Sequence, residues 1–236
     1  MDITGSVALV TGANRGLGRQ FAQQLLERGA AKVYATSRRP ELVDLSGVEV
    51  LRLDVTDPET IAAAAQAAGD VTLLVNNAGI TTRANLVTGD LADVRREMDT
   101  HFYGTLDVVR AFAPVLARNG GGAIVNVLSA LSWFSIDGAN AYAAGKAAAW
   151  SLTNGIRLEL TGQGTQVTGI VLGAADTDMM AGYTGPMTAP ADVVRTALDG
   201  VQGGAWEVLV DDWSRGVKAS LAGDPRDFYR QLGVSV

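Results

Sequence analysis

Short apolar runs recur along the chain, separated by stretches in which apolar positions return every three or four residues. The first run is Val7-Ala8-Leu9-Val10. A run with no polar side predicts a strand buried on both faces, as in a parallel sheet. Similar runs at 32–37, 48–53, 71–75, 122–128, 166–172 and 206–210 predict further strands. Between them the spacing turns helical. Phe21, Leu25 and Leu26 mark a helix that stops at Gly29. Asp57 is a natural N-cap, with Pro58 at the first helical position of an Ala-rich run. Leu91, Val94, Met98, Phe102, Leu106, Val109, Phe112 and Leu116 predict one long helix over 90–117, with Pro114 at a bend or in its frayed last turn. Further helices are predicted over 142–160 and 190–202, with short ones near 217–221 and 228–232. The link between the second and third strands is too short for a full helix. No repeat or linker interrupts the alternation. The pattern predicts one α/β domain over 1–236, a doubly wound parallel sheet of about seven strands with helices on both faces.

Composition narrows the class. Hydrophobic residues make up 47% of the 236 and charged residues 19%, which suits a well-buried core. The net charge of −6 provides no overall footprint for nucleic acid. There is no cysteine, hence no disulfide framework and no thiol nucleophile, and the pattern suggests no metal site. The sequence enters a strand-like run at once, and no apolar stretch is long enough to span a bilayer. The expectation is a cytoplasmic enzyme with no nucleic-acid and no membrane partner.

The turn after the first strand is Thr11-Gly12-Ala13-Asn14-Arg15-Gly16-Leu17-Gly18. Strand, glycine-rich turn and helix aim backbone N–H groups and a helix N-terminus at a phosphate. Gly12 would allow the tight turn, and Gly16 and Gly18 the close approach of a pyrophosphate and of the packed helix. The spacing is G-x-x-x-G-x-G, without the ending of a P-loop. The alternative is a glycine-rich turn with no ligand. The second strand ends in Ser37-Arg38-Arg39 where an acidic residue would bind a ribose 2′-hydroxyl. Arginine there suits a 2′-phosphate, and Arg15 could reach the same group, which points to NADP(H). Solvated loop charges are the alternative. Asn76-Asn77-Ala78-Gly79 follows the fourth strand, where a small Ala-Gly admits a cofactor ring and the asparagines can brace neighbouring loops.

Tyr142 and Lys146 stand four residues apart, about one helical turn. An ammonium near a phenol favours the phenolate and would make Tyr142 a proton donor and acceptor. By itself this spacing also fits a surface pair.

Taken together, TGANRGLG (11–18), Leu53-Asp54-Val55, NNAG (76–79), Ser129 and YAAGK (142–146) resemble the short-chain dehydrogenase/reductase superfamily in its compact single-domain branch, over nearly the whole chain. The resemblance implies a Rossmann-type fold and a carbonyl reductase. It makes Tyr142 the general acid, Ser129 the group that polarises the carbonyl, and Lys146 the holder of the nicotinamide ribose and the depressor of the Tyr142 pKa. It assigns cofactor contacts to Gly12, Asn14, Arg15, Gly16, Leu17 and Gly18 of the turn and to Ser37 and Arg38. It adds Asp54 and Val55 at the adenine end, then Asn77, Ala78 and Gly79, with Gly173 and Thr177 at the carboxamide. It also implies a homodimer or homotetramer.

Two departures stand out. The only histidine, His101, occupies the place of a family asparagine that supports a water behind the lysine. Either the ring keeps that support or relays protons itself, or it is a core histidine whose backbone carbonyl holds the water. Leu172-Gly173 replaces the usual Pro-Gly ahead of a substrate loop at 173–189. Leu131, Trp133, Phe134 and Ile136, with Met179, Met180, Tyr183 and Met187 of that loop, are the candidate pocket walls. The aromatics could instead face a neighbouring subunit. These side chains suit an apolar or aromatic ketone or aldehyde as the small-molecule carbonyl substrate. The alternatives are epimerase or dehydratase chemistry on the same scaffold, or a non-catalytic NADP-binding regulator.

Overall fold

The computed structural model describes residues 1–234. Seven strands form one parallel sheet: β1 (Val7–Val10), β2 (Lys32–Ser37), β3 (Glu49–Arg52), β4 (Leu73–Asn76), β5 (Gly122–Val127), β6 (Thr165–Val171) and β7 (Glu207–Leu209). Their order is 3-2-1-4-5-6-7. From β1 the chain winds outward one way through β2 and β3, then the other way from β4 to β7. The loops therefore part between the carboxyl ends of β1 and β4, a switch point at which such sheets bind ligands.

A sheet apolar on both faces needs two covering layers. On one, α1 (Gly16–Glu27) and α6 (Pro190–Gln202) bury Phe21, Leu25, Val194 and Leu198 against Val10, Val33 and Val125. On the other, α2 (Pro58–Ala67), α4 (Thr105–Arg118) and α5 (Asn140–Glu159) bury Ile61, Phe112, Leu116 and Ile156 against Leu9, Leu74 and Ile124. Asp57 caps α2 by accepting the Glu59 N–H, and a single turn, Pro40–Leu42, links β2 to β3. No helix among the described residues is long and apolar enough to cross a membrane.

The region expected to be one long helix is broken. It comprises α3 (Leu91–Met98), a π-helical turn (Asp99–Gly104) and α4. The wider turn moves the inward face, so Glu97, Thr100, His101 and Gly104 are buried while Leu91 and Tyr103 lie in solvent. The apolar stripe resumes only in α4. Pro114 does not end that helix, which runs on to Arg118; its ring is exposed, where water can satisfy the carbonyl left without a partner. The tail helices begin earlier than expected, as α7 (Asp212–Ser220) and α8 (Pro225–Gln231), because Asp211 and Asp224 cap them. Apolar spacing had located only their carboxyl-terminal halves.

Candidate active site

A cleft of about 920 Å³ opens at the carboxyl ends of the central strands. At one end stands the N-terminus of α1. Gly12 (φ +67°) and Gly16 (φ +53°) take the left-handed backbone that folds the turn back on itself. Aspartates cap α2, α3, α7 and α8, whereas α1 has no side-chain cap and no acid in its first turn. Its free N–H groups and positive dipole end are left for an anion.

Asn14, Arg15, Gly16 and Leu17 line the cleft, but Gly18 does not; it is buried. A Cβ on Gly18 would stand 2.1 Å from the Gly12 carbonyl oxygen and 2.5 Å from Asn77 Nδ2. Its role is therefore the close seating of α1 on the turn, not contact with a ligand. Asn77 locks the floor: its Nδ2 donates to the Thr11 carbonyl at 2.9 Å, and Thr11 Oγ1 accepts the Asn77 and Ala78 N–H groups at 3.0 Å. Ala78 and Gly79 complete that floor.

Ser37 and Arg38 mark the far end of the cleft, beside Asp54 and Val55. Ser37 is buried and accepts the Arg39 N–H at 3.2 Å, while Arg38 is exposed at the rim. Asp54 turns its carboxylate to the Thr56 N–H (3.0 Å) and hydroxyl (2.8 Å). Arg15 reaches across to Asp178 of the 173–189 loop, at 3.0 Å. A bare helix N-terminus with two exposed arginines at the rim fits a phosphorylated dinucleotide.

The other half gathers the hydroxyl, phenol and ammonium groups. The edge of β5 leads into Ser129, whose hydroxyl accepts the Leu131 N–H at 3.1 Å and keeps its own proton free to donate. Tyr142 and Lys146 project from the first turns of α5 into the same cleft. Lys146 Nζ donates to the Val127 carbonyl at 2.8 Å and lies 5.7 Å from the centre of the Tyr142 ring. Burial pulls the Lys146 ammonium down to about 8, against an upward pull from the Glu97 carboxylate. Burial pushes the Tyr142 phenol up to about 12; the Ser129 hydroxyl opposes that rise and Glu97 adds to it. In the protein by itself the phenol therefore stands above its ordinary value, opposite to the depression expected from Lys146, and burial is the main cause.

His101 is buried at 2% exposure and meets the Tyr142 ring edge-on, with centroids 5.2 Å apart. Its Nε2 lies 3.0 Å from the Ile80 carbonyl oxygen and 3.1 Å from Glu97 Oε2. The carbonyl requires a proton on Nε2, leaving Nδ1 as the acceptor. Gly79 makes the room, since a Cβ there would stand 2.9 Å from His101 Cε1. Glu97 escaped sequence reasoning altogether. The signal was an acid four residues before the single histidine, a helical neighbour that the apolar count passed over.

The walls also differ from expectation. Met179 and Met180 line the cleft, but Leu131, Trp133, Phe134, Ile136, Tyr183 and Met187 do not. Trp133 packs on Trp150 at 6.3 Å, and Phe134 on Phe228 at 5.1 Å and Trp213 at 6.0 Å. Trp133 thus leans on α5 and Phe134 on α7 and α8, each covering apolar surface away from the cleft. Gly173 and Thr177 do line it. The Gly173 N–H is held by Asp211 Oδ2 at 2.8 Å, and the loop's base is closed by a bridge between Ala175 and Thr188.

A family profile described as short chain dehydrogenase matches residues 6–186. The chain is 35% identical over 192 residues to the NADPH-dependent 1-acyldihydroxyacetone phosphate reductase of Schizosaccharomyces pombe. That match takes in 78% of this chain and 64% of the relative, so it spans less than two thirds of the relative's length. It is 31% identical over 227 residues to the 1-deoxy-11-beta-hydroxypentalenate dehydrogenase of Streptomyces exfoliatus, covering 90% and 82% of the two chains. A short chain dehydrogenase from Burkholderia cenocepacia, solved in complex with NADP, superposes with a TM-score of 0.94 at 38% identity over 100% of both chains. Matches of this breadth, on a sheet of this order with Ser129, Tyr142 and Lys146 gathered at its switch point, make the chain a member of the short chain dehydrogenase family.

Proposed function

We propose that this chain is an NADP(H)-dependent oxidoreductase that reduces an apolar or aromatic ketone or aldehyde to the alcohol, reversibly. The observation that carries it is the pairing of Ser129, Tyr142 and Lys146 with a bare helix N-terminus in one cleft. NADP(H), when bound, supplies or accepts the hydride. The α1 turn would hold its diphosphate, Arg38 and Arg15 a 2′-phosphate, and Gly173 and Thr177 the carboxamide end. The relatives support this cofactor: one is named for NADPH, and the Burkholderia protein was solved with NADP.

In reduction, the substrate oxygen gains negative charge and must be met by donors. Ser129 offers its hydroxyl proton and Tyr142 transfers its own. A phenol held near 12 stays protonated through neutral pH, which suits the acid role. The reverse reaction needs the phenolate and is therefore favoured at alkaline pH. Lys146, as an ammonium, stabilises the phenolate left after transfer. Met179 and Met180, with Leu128 and Leu172, provide an adaptable apolar side for the rest of the substrate.

The test is consumption of NADPH, then of NADH, against neutral aryl ketones and charged keto acids. Faster turnover of the neutral set with NADPH is expected. Preference for the charged set would overturn the substrate class, and no consumption with any carbonyl would overturn the reductase reading.

A further inference from the structure

Glu97 is a carboxylate with no access to water: its exposure is 0%. Burial works to raise its pKa, and its contacts with His101 and Thr82 outweigh that rise, so the group stays ionised. An isolated buried charge costs several kcal/mol, so the fold must compensate it. Part of the compensation comes from the loop after β4, where the Thr82 N–H and hydroxyl donate to Oε1 at 2.5 and 2.9 Å. Oε2 faces His101 Nε2 at 3.1 Å, yet that N–H also serves the Ile80 carbonyl, and Oε2 is left without a well-directed hydrogen bond.

His101, from the same helical run, lies 3.1 Å from the Glu97 carboxylate and meets the Tyr142 ring of α5 edge-on at 5.2 Å, and Lys146 Nζ stands 5.7 Å from that same ring, so these three are the titratable groups gathered around Glu97. Burial first, and the Lys146 charge second, hold His101 below its ordinary value, so the imidazole is neutral. The cation of the group is Lys146. We propose that Glu97 is the buried counter-charge of this site, a positioning residue that holds Lys146 as an ammonium and Tyr142 as a phenol, with the His101 ring packed between the carboxylate and Tyr142. This rests on the reading of Tyr142 as proton donor and Lys146 as its cation. A fixed negative charge favours the protonated form of both groups. Its removal makes both lose their protons at lower pH, so the two effects add in one direction.

Glu97→Gln keeps the shape and removes the charge. The alkaline limb of the pH profile for ketone reduction is expected to move to lower pH by on the order of one unit, and Glu97→Asp to restore much of it. A merely structural role would lower the rate at every pH and leave the limb in place, which would overturn the proposal. A second readout is independent of turnover. His101 is the only histidine, so its imidazole nitrogen-15 and proton signals need no assignment. In the protein without cofactor, those signals should step as Lys146 titrates near pH 8. The step should move to lower pH in Glu97→Gln and vanish in Lys146→Met. In Lys146→Met the imidazole should take up its proton at a higher pH than in the native protein, since the opposing lysine charge is gone and the Glu97 carboxylate remains, which tests the pairing even if Glu97→Gln fails to fold. A step at the same pH in folded Glu97→Gln, or an imidazole in Lys146→Met that takes up its proton no higher than in the native protein, would overturn the proposal. A moving step in a protein that reduces no carbonyl would support the counter-charge while refuting the reductase.

Discussion

Lys146→Met is expected to make the protein more stable and inactive. The ammonium is buried at 6% exposure and titrates near 8, against an ordinary 10.5. Above pH 8 the native lysine sheds its proton while the unfolded chain keeps it up to 10.5, so stability rises with pH across that window. Below pH 8 the penalty is fully present. At about 1.4 kcal/mol per pH unit it amounts to about 3 kcal/mol. Methionine fills a similar volume without the charge. The lost hydrogen bond from Nζ to the Val127 carbonyl offsets about 1 kcal/mol. A net gain of about 2 kcal/mol raises the melting temperature by about 4–8 °C in a chain of this size. Thermal unfolding followed by circular dichroism or calorimetry at about pH 7 and about pH 9.5 measures it. The gain should be large at the lower pH and shrink at the higher. A lower melting temperature, or a gain equal at both, would refute the reasoning. The expected trade of stability for activity is common at functional sites.

Tyr142→Phe should lower kcat by about 10²–10⁴ while NADPH affinity, read by fluorescence titration, stays near wild type; retained turnover would remove Tyr142 from the chemistry. Arg38→Leu should weaken NADPH binding by about 10–100-fold, the worth of charge-assisted bonds of about 1.5–3 kcal/mol, and leave NADH nearly unchanged; an equal loss for both would place Arg38 away from the 2′-phosphate. Gly18→Ala puts a Cβ 2.1 Å from the Gly12 carbonyl oxygen. Overpacking of this kind costs about 1–3 kcal/mol, and a melting temperature lowered by several degrees checks it.

The sheet was legible because a strand buried on both faces has no polar positions to confuse its period, and β1, β2 and β5 lie close to where their apolar runs end. The glycine turn and the rim arginines were legible as parts of one cleft because glycines and arginines declare their place locally. The interior of the 90–118 region was not. A π-helical turn rotates the inward face, so counting threes and fours selected Leu91, which is exposed, and passed over Glu97, which is buried. The aromatic loop misled for another reason. Trp133 and Phe134 signal a need for burial and not its direction, and their partners Trp150, Trp213 and Phe228 lie 17 to 94 positions further along the chain. The height of the Tyr142 pKa depends on desolvation, which only the three-dimensional surroundings of a residue decide.

The packing of Phe134 on Trp213 and Phe228, with the Tyr229 hydroxyl accepting the Ser135 N–H at 3.1 Å, ties the segment between Ser129 and Tyr142 to the last two helices. α8 therefore braces the segment that spaces Ser129 from Tyr142. Substitutions at Phe228 or Tyr229, outside the cleft, would bear on the spacing between Ser129 and Tyr142. Selection for new substrates thus has a second place to act, one that leaves every group in contact with the substrate unchanged.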